Sequence, residues 1–327
     1  MDVRWVTVDG VESRTVDDLK MLLDRQDGLV WVDIPSCDQE ALRVLSEVFG
    51  FHALAIRDCV ERNYVPKMHA YRDHVFVVLH GPERGKGGHV HYIELDQFVG
   101  PGYLVTVHGP LNPAADPKAA HRETGVVLAR LEAGRLRPSS SFELSHAIVS
   151  TLARHMEAFV GTLAYEVGLL EKRVMADELS EPQQSLDEMF RARHGLIAIR
   201  HMAALSREIY GRIAALTRAG PADYQAFAAD IADQFDRVRG MADGEREFLQ
   251  AVIEFYRART ETKLTIAAER LAVIAAITLP ITALSSIYGM NLIVNNRTHL
   301  VHLAVVLAVM VAMSAALLRW ARQQGWW

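Results

Sequence analysis

The sequence predicts an α+β body, then a long helical stalk, then two membrane-spanning helices at the C-terminus. Three observations carry this. β-branched and aromatic runs separated by Gly and Pro occupy the first 108 residues. Helical spacing then continues from Pro117 almost without a break. Near residue 270 the charges stop: Leu271 to Asn296 carries no Asp, Glu, Lys or Arg, and after Arg297 neither does Thr298 to Leu318. The chain's net charge is −5, yet residues 271–327 hold only Arg297, Arg319 and Arg322, leaving −8 on the rest.

The 327 residues amount to about two domains. Half are hydrophobic, which excludes a disordered chain. With 35 basic against 40 acidic residues the chain is no generally basic nucleic-acid binder. Cys37 and Cys59, its two cysteines, exclude a disulfide framework and a zinc ribbon and point to a reducing compartment.

In chain order, VRWVTV (3–8), GLVWVDI (28–34), HVFVVLH (74–80), HVHYIELDQFV (89–99) and YLVTVH (103–108) read as strands. Asp38–Phe49 and His52–Glu61 carry helical spacing. Close strand spacing after residue 66 favours hairpins, hence α+β over a doubly wound parallel sheet. Helices are expected over Pro117–Ala133, over Ser141–Asp177 with a cap at Ser139–Ser141 ahead of Glu143, and over Leu186–Thr217 up to the stop Ala219-Gly220-Pro221. The last two read as an antiparallel hairpin. From Ala222 to Asn291 one proline occurs, Pro280, so a single helix of roughly 100 Å is expected, with Gly240 and Gly244 as its weak points. Phe235, Val238, Met241, Phe248, Val252 and Phe255 mark its apolar stripe. Eight acids and three arginines lie between Asp223 and Glu254; they read either as a solvated face or as a device that concentrates cations.

Leu271–Asn291 would span about 31 Å and Leu300–Leu318 about 28 Å, each close to a hydrocarbon core of roughly 30 Å. The alternative is a pair of buried core helices. Arg257, Arg259, Lys263 and Arg270 precede the first span, and Arg319 and Arg322 follow the second. The positive-inside rule then puts both termini in the cytoplasm and the loop around Asn295 outside, with Trp320, Trp326 and Trp327 at the inner interface. The N-terminus MDVRWVTVDG lacks the features of a signal peptide. The expected partition is a cytosolic α/β domain (1–135), a helical hairpin (136–220), a stalk (221–270), span one (271–291), an outer loop (292–299), span two (300–318) and a basic-aromatic tail (319–327). Two helices cannot enclose an aqueous path, so a transporting assembly needs several copies around one axis.

Tyr288-Gly289-Met290-Asn291 closes the first span. This ending resembles the CorA family of divalent-cation channels, whose Gly-Met-Asn signature stands at the same place in a two-span C-terminal tail. PITALSSIYGMN, from Pro280, aligns with the family without a gap, and ALAIRDCVERNYVPKMHAYRDHVFVVLH (53–80) looks like its stretch through Pro-Lys and the central strand. The resemblance implies a funnel-shaped homo-oligomer, a pentamer, in the inner (cytoplasmic) membrane, with the lipid bilayer and divalent cations as its other partners. It implies Mg2+ uptake, with Co2+ or Ni2+ as further ions, and Mg2+ as both cargo and regulator in place of any catalytic cofactor.

The residue types suit that chemistry. Magnesium binds six oxygens at about 2.0–2.1 Å and sheds water reluctantly. Neutral amide and carbonyl oxygens can accept hydrogen bonds from its water shell, and Gly289 and Asn291, with Met290, are expected to form the filter. By resemblance the pore face continues through Ile287, Thr282, Leu279 and Leu271; Thr282 would offer a hydroxyl and the leucines an apolar gate. Pro280 frees the carbonyl at position 276. The outer loop departs from the family: LIVNNRTHLVH stands where magnesium members carry Met-Pro-Glu-Leu, with Arg297 and His299 nearby and no acid. Thr265, Ala268 and Glu269 replace a common Asn, Met and Lys. The ion is therefore open between Mg2+ and the Zn2+ of the ZntB-like branch, which also lacks the acidic loop; proton-linked uptake belongs to that alternative.

Elsewhere, His89 and His91 share a strand face, with His80 and His108 on nearby strands, as a conceivable soft-metal site. Asp230 and Glu254 are the candidates for the regulatory carboxylates the family implies. The chain has no G-x-x-x-x-G-K-[ST], no H-E-x-x-H and no G-x-S-x-G. ATP-driven pumping and hydrolysis have no support, and the chain does not read as an enzyme.

Overall fold

The structure is a computed structural model describing residues 1–85, 88–110, 112–113, 115–176, 182–217, 222–291 and 300–323. It divides into two compact units, Met1–Val252 and Ile253–Trp327.

The first unit is built on β1 (Asp2–Val6), β2 (Val11–Arg14), β3 (Leu29–Ile34), β4 (Lys67–Ala70), β5 (Val75–Arg84), β6 (Val90–Gly100) and β7 (Tyr103–His108). Among the described residues they form one sheet in the order β2-β1-β3-β7-β6-β5-β4. β3 and β7 run parallel and the other neighbours antiparallel, so the α+β class holds. The tight β6–β7 turn needs Gly102, whose φ of +75° disfavours other residues. β2 (VESR) and β4 (KMHA) escape sequence reading because they are short edge strands, largely uncovered, and carry no apolar run.

Central strands bury both faces. Val30, Val32 and Ile34 of β3 face one way, into a core with Leu19 and Leu22 of α1 (Leu19–Leu23), Ala41 of α2 (Gln39–Arg43) and Ala55 and Cys59 of α3 (Ala53–Val60). Leu29 and Trp31 face the other way, onto Val127 and Leu131 of α4 (Arg122–Glu132) and Leu144 and Ile148 of α5 (Ser141–Ala176). This two-residue alternation is what strand geometry dictates. The helical reading of Asp38–Phe49 resolves into α2 and a π-helical turn over Val44–Val48. The expected helix from Pro117 begins as a 3-10 turn, Pro117–His121, capped by Asp116.

The cap predicted ahead of α5 is present. The Ser139 N–H and hydroxyl donate to Glu143 Oε2 at 2.7 and 2.8 Å, and the Glu143 N–H donates to Ser140 Oγ at 3.2 Å. α6 (Pro182–Leu216) starts on a proline, whose missing N–H costs nothing in a first turn. α7 (Ala222–Asn291) is one continuous helix of 70 residues through Gly240, Gly244 and Pro280, and α8 (Leu300–Gln323) follows.

The stripe expected on α7 needs correction. Phe235, Val238 and Val252 are buried, together with Ala228, Ile231, Ala242 and Leu249. Met241, Phe248 and Phe255 are 42 %, 40 % and 47 % exposed. They recur every seven residues on a second face, which single-stripe reading merged with the first. Ion pairs cross from the early part of α7 to its neighbours: Arg200–Asp243 at 2.7 Å, Arg207–Asp236 at 2.9 Å and Arg237–Glu157 at 3.4 Å. Several of its acids are thus compensated within the unit, which weakens their reading as a cation-concentrating device.

Candidate functional site

The charge-free run occupies the last part of α7. Pro280 has no N–H, so the carbonyl four residues earlier loses its helical donor. The Thr278 hydroxyl donates to the Ile274 carbonyl and the Thr282 hydroxyl to the Thr278 carbonyl, each at 2.8 Å. A hydroxyl donating inward keeps its oxygen lone pairs available to water. α7 is described as far as Asn291, so Tyr288-Gly289-Met290-Asn291 is its last described turn. The side chains of Tyr288, Met290 and Asn291, and the whole of residues 292–299 with Arg297 and His299, lie outside the described residues, as do Trp326 and Trp327. A Cβ added to Gly289 would meet nothing within 4 Å, so no contact within the described chain demands glycine there.

Helix geometry sorts the remaining pore candidates. At about 100° per residue, Thr282 and Gly289 fall within roughly 20° of Leu271, and Leu279 roughly 80° away. Ile287 falls roughly 160° from Leu271 but within roughly 40° of Asn291, so the candidates occupy two faces of α7. Ser286 lies four residues after Thr282, on the Thr282 side of the helix; motif reading passed over it, although spacing alone would have found it. Leu271 and Leu279 are each 67 % exposed, and Ile287 is exposed as well.

Both α7 and α8 contain a stretch long and apolar enough to cross a membrane, of which 6 % is buried. Core helices of a soluble protein would be mostly covered, so the core-helix alternative fails. Among the described residues Leu271, Ile274, Leu279, Val301, Val305, Val309, Val311 and Trp320 all stand exposed.

The candidate regulatory acids occupy different settings. Asp230 accepts from Gln234 Nε2 at 2.6 Å and lies 2.7 Å from His146 Nε2; the histidine hydrogen bond comes first in holding its carboxyl below the usual range. Glu254 is exposed on α7. Neither belongs to a cluster of three metal-ligating side chains among the described residues.

Nor do the four sheet histidines converge. His80 is buried, stacked on Tyr92 with ring centroids 4.2 Å apart, and burial pushes its pKa down to about 4. His91 pairs across the ladder with Glu83. His89 stands edge-on to His194 at 6.3 Å. His108 instead lies 2.9 Å from Asp33, beside His121. Burial raises the Asp33 carboxyl, but the hydrogen bond and charge of His108, the Thr106 hydroxyl and His121 outweigh it and leave it lowered. Spacing gave no hint of this trio, because the β3–β7 crossover brings it together.

The sequence profile of the family described as CorA-like Mg2+ transporter protein matches residues 26–323. The chain belongs to this family. It is 24 % identical over 308 residues to YfjQ of Bacillus subtilis (strain 168), covering 90 % of this chain and 89 % of that one. It is 21 % identical over 269 residues to the cobalt/magnesium transport protein CorA of Thermotoga maritima, covering 80 % and 72 %. The fold resembles the CorA magnesium transporter of Methanocaldococcus jannaschii with a TM-score of 0.80 at 16 % identity, over 100 % of this chain and 99 % of that one. It also resembles the ZntB cytoplasmic domain of Vibrio parahaemolyticus, with a TM-score of 0.58 at 11 % identity, over 80 % and 98 %. CorA-family proteins are channels and transporters, so the chain is a divalent-metal-ion transporter of the membrane and not an enzyme.

Proposed function

We propose that this CorA-family chain assembles as a homo-oligomer, pentameric by resemblance, whose α7 helices surround one axis in the inner membrane and admit Mg2+ to the cytoplasm. Co2+ and Ni2+ are further cargo. Both termini face the cytosol, and residues 292–299 face outward. Gly289, Met290 and Asn291 form the filter, where carbonyl and amide oxygens accept from the ion's water shell. Thr282 offers the next oxygen, Leu271 and Leu279 form an apolar gate, Ile287 lines the pore beside the filter, and Tyr288 and Pro280 support the motif. Asp230 and Glu254 hold regulatory ions between copies.

One observation carries this reading. α7 runs unbroken through the charge-free stretch as far as Asn291, which supports a motif carried on the C-terminal part of a membrane-length helix. The copies have a surface to meet on, the heptad-spaced Met241, Phe248 and Phe255, which the chain leaves partly exposed. An inside-negative potential supplies about 4.6 kcal/mol per divalent ion per 100 mV, twice the single-charge value, so inward flow needs no ATP.

A second reading keeps the pathway and changes the ion to Zn2+. The outer loop favours it, since LIVNNRTHLVH contains no carboxylate to attract a hydrated Mg2+. The test is flux measured ion by ion on purified protein in liposomes, with Asn291→Ala alongside. The magnesium reading expects saturable Mg2+ entry that Asn291→Ala abolishes; Zn2+ entry without Mg2+ entry would move the assignment to the second reading. Undiminished flux in Asn291→Ala would defeat the filter in both.

A further inference from the structure

Asp33 and Thr106 face each other in the parallel β3–β7 register, and His108 closes β7 two residues later. His121 ends the 3-10 turn Pro117–His121 that leads into α4. One carboxylate oxygen of Asp33 and one ring nitrogen from each histidine all lie within 4.8 Å of one another. Asp33 Oδ1 is 2.9 Å from His108 Nε2, and Asp33 Oδ2 is 3.9 Å from His121 Nδ1. The two imidazole rings are 4.3 Å apart. None of these side chains belongs to the pathway proposed above.

We propose that Asp33, His108 and His121 form a resident site for a borderline transition-metal dication, Zn2+, Co2+ or Ni2+, and not for Mg2+. Donor chemistry sets the class. Two imidazoles and one carboxylate suit these ions, whereas Mg2+ requires a near-octahedral set of oxygens. A tetrahedral zinc ion with bonds of about 2.0–2.1 Å holds its donors roughly 3.4 Å apart. The separations here, from 2.9 Å upward and all within 4.8 Å, bracket that value, so small side-chain rotations close the site.

The surroundings are those of a built site. The Trp31 indole N–H donates to Thr106 Oγ1 at 3.1 Å, and the Thr106 hydroxyl donates to Asp33 Oδ1, which fixes the carboxylate as an outer shell fixes a metal ligand. His108 is 1 % exposed and forms the floor. Its Nδ1 has no partner among the described residues, and Nε2 is the nitrogen turned to Asp33. His121 is 42 % exposed, so an ion and a fourth, water ligand can reach the site from solvent. Ligation ties the 3-10 turn ahead of α4 to the ends of two central strands.

The test uses the full-length protein, stripped with a chelator and titrated with Co2+ and then Zn2+. The proposal expects one Co2+ per chain with the intense visible absorption of a four-coordinate ion, displaced by Zn2+ and unmoved by millimolar Mg2+. Co2+ on pathway oxygens would absorb weakly and yield to Mg2+. His121→Gln, at a half-exposed position, should erase the intense band and weaken Zn2+ binding by more than the roughly 10–100-fold that loss of an outer-shell partner costs. His91→Gln, outside the trio, should leave both unchanged. A wild-type protein whose bound Co2+ is all displaced by Mg2+, or a His121→Gln protein that keeps the band, would overturn the proposal.

Discussion

Two stretches of α7 have opposite surfaces. In its early part, Phe235, Val238 and Leu249 are wholly covered by neighbours from the same chain. In its later part, Leu271 and Leu279 are each 67 % exposed. Both stretches are helical and rich in apolar residues. The first stretch finds its complement within the chain, as where Phe235 packs near Tyr210 of α6; for the second, the proposed assembly supplies lipid and other copies. A helix that is apolar all round must be surrounded by something apolar, and the described residues of this chain leave that stretch largely uncovered.

That contrast can be broken by mutation. Phe235→Ala opens a cavity in the covered part and should cost about 3–5 kcal/mol of stability in the first unit, read by chemical denaturation. If the cost were below about 1 kcal/mol, the covered stretch would not be the core described here.

Acid distinguishes the two regions next. His80 is 2 % exposed, and burial lowers its pKa from 6.5 to about 4. The unfolded chain takes up this proton below about pH 6.5, while the folded chain resists until about pH 4. The contribution is therefore fully present above pH 6.5 and is lost as the pH falls toward 4, by up to about 3 kcal/mol. Residues 271–291 hold no acid, base or histidine, so the membrane stretch should be indifferent over this range. His80→Phe, which keeps a ring against Tyr92, should flatten the acid limb of the first unit's denaturation profile.

Smaller effects sharpen the comparison. Met241→Ala and Phe248→Ala remove exposed side chains and should change the stability of a single chain by about 0.5 kcal/mol or less, yet loosen the assembly seen by size-exclusion chromatography. Smallest of all, Arg200→Ala breaks a half-exposed pair with Asp243 and should cost well under about 1 kcal/mol, less still in high salt.

Much of this was legible in the sequence, for physical reasons. The five long apolar strands, the capping residues at Ser139–Glu143 and the charge-free runs are local signals, each written in neighbouring residues. What escaped was non-local or weakly patterned. β2 and β4 are edge strands that need little burial, and α1 is too short for its period to show. On α7, two stripes seven residues apart in period looked like one. The Asp33–His108–His121 trio joins residues far apart in sequence, through a strand pairing that no motif announces. The filter residues Gly289 to Asn291 were found by resemblance and by their place at the end of a membrane-length run, not by a chemical signature of their own.

The central claim is that the bare face of α7 is completed by identical chains around one axis. Native mass measurement of the purified protein, released from lipid nanodiscs, tests this most directly. The account predicts a single closed assembly of identical chains, five by resemblance, that loses copies when Met241 and Phe248 are both truncated to alanine. A single chain in lipid and in detergent alike would contradict it, because no ring of Asn291 amides could then form.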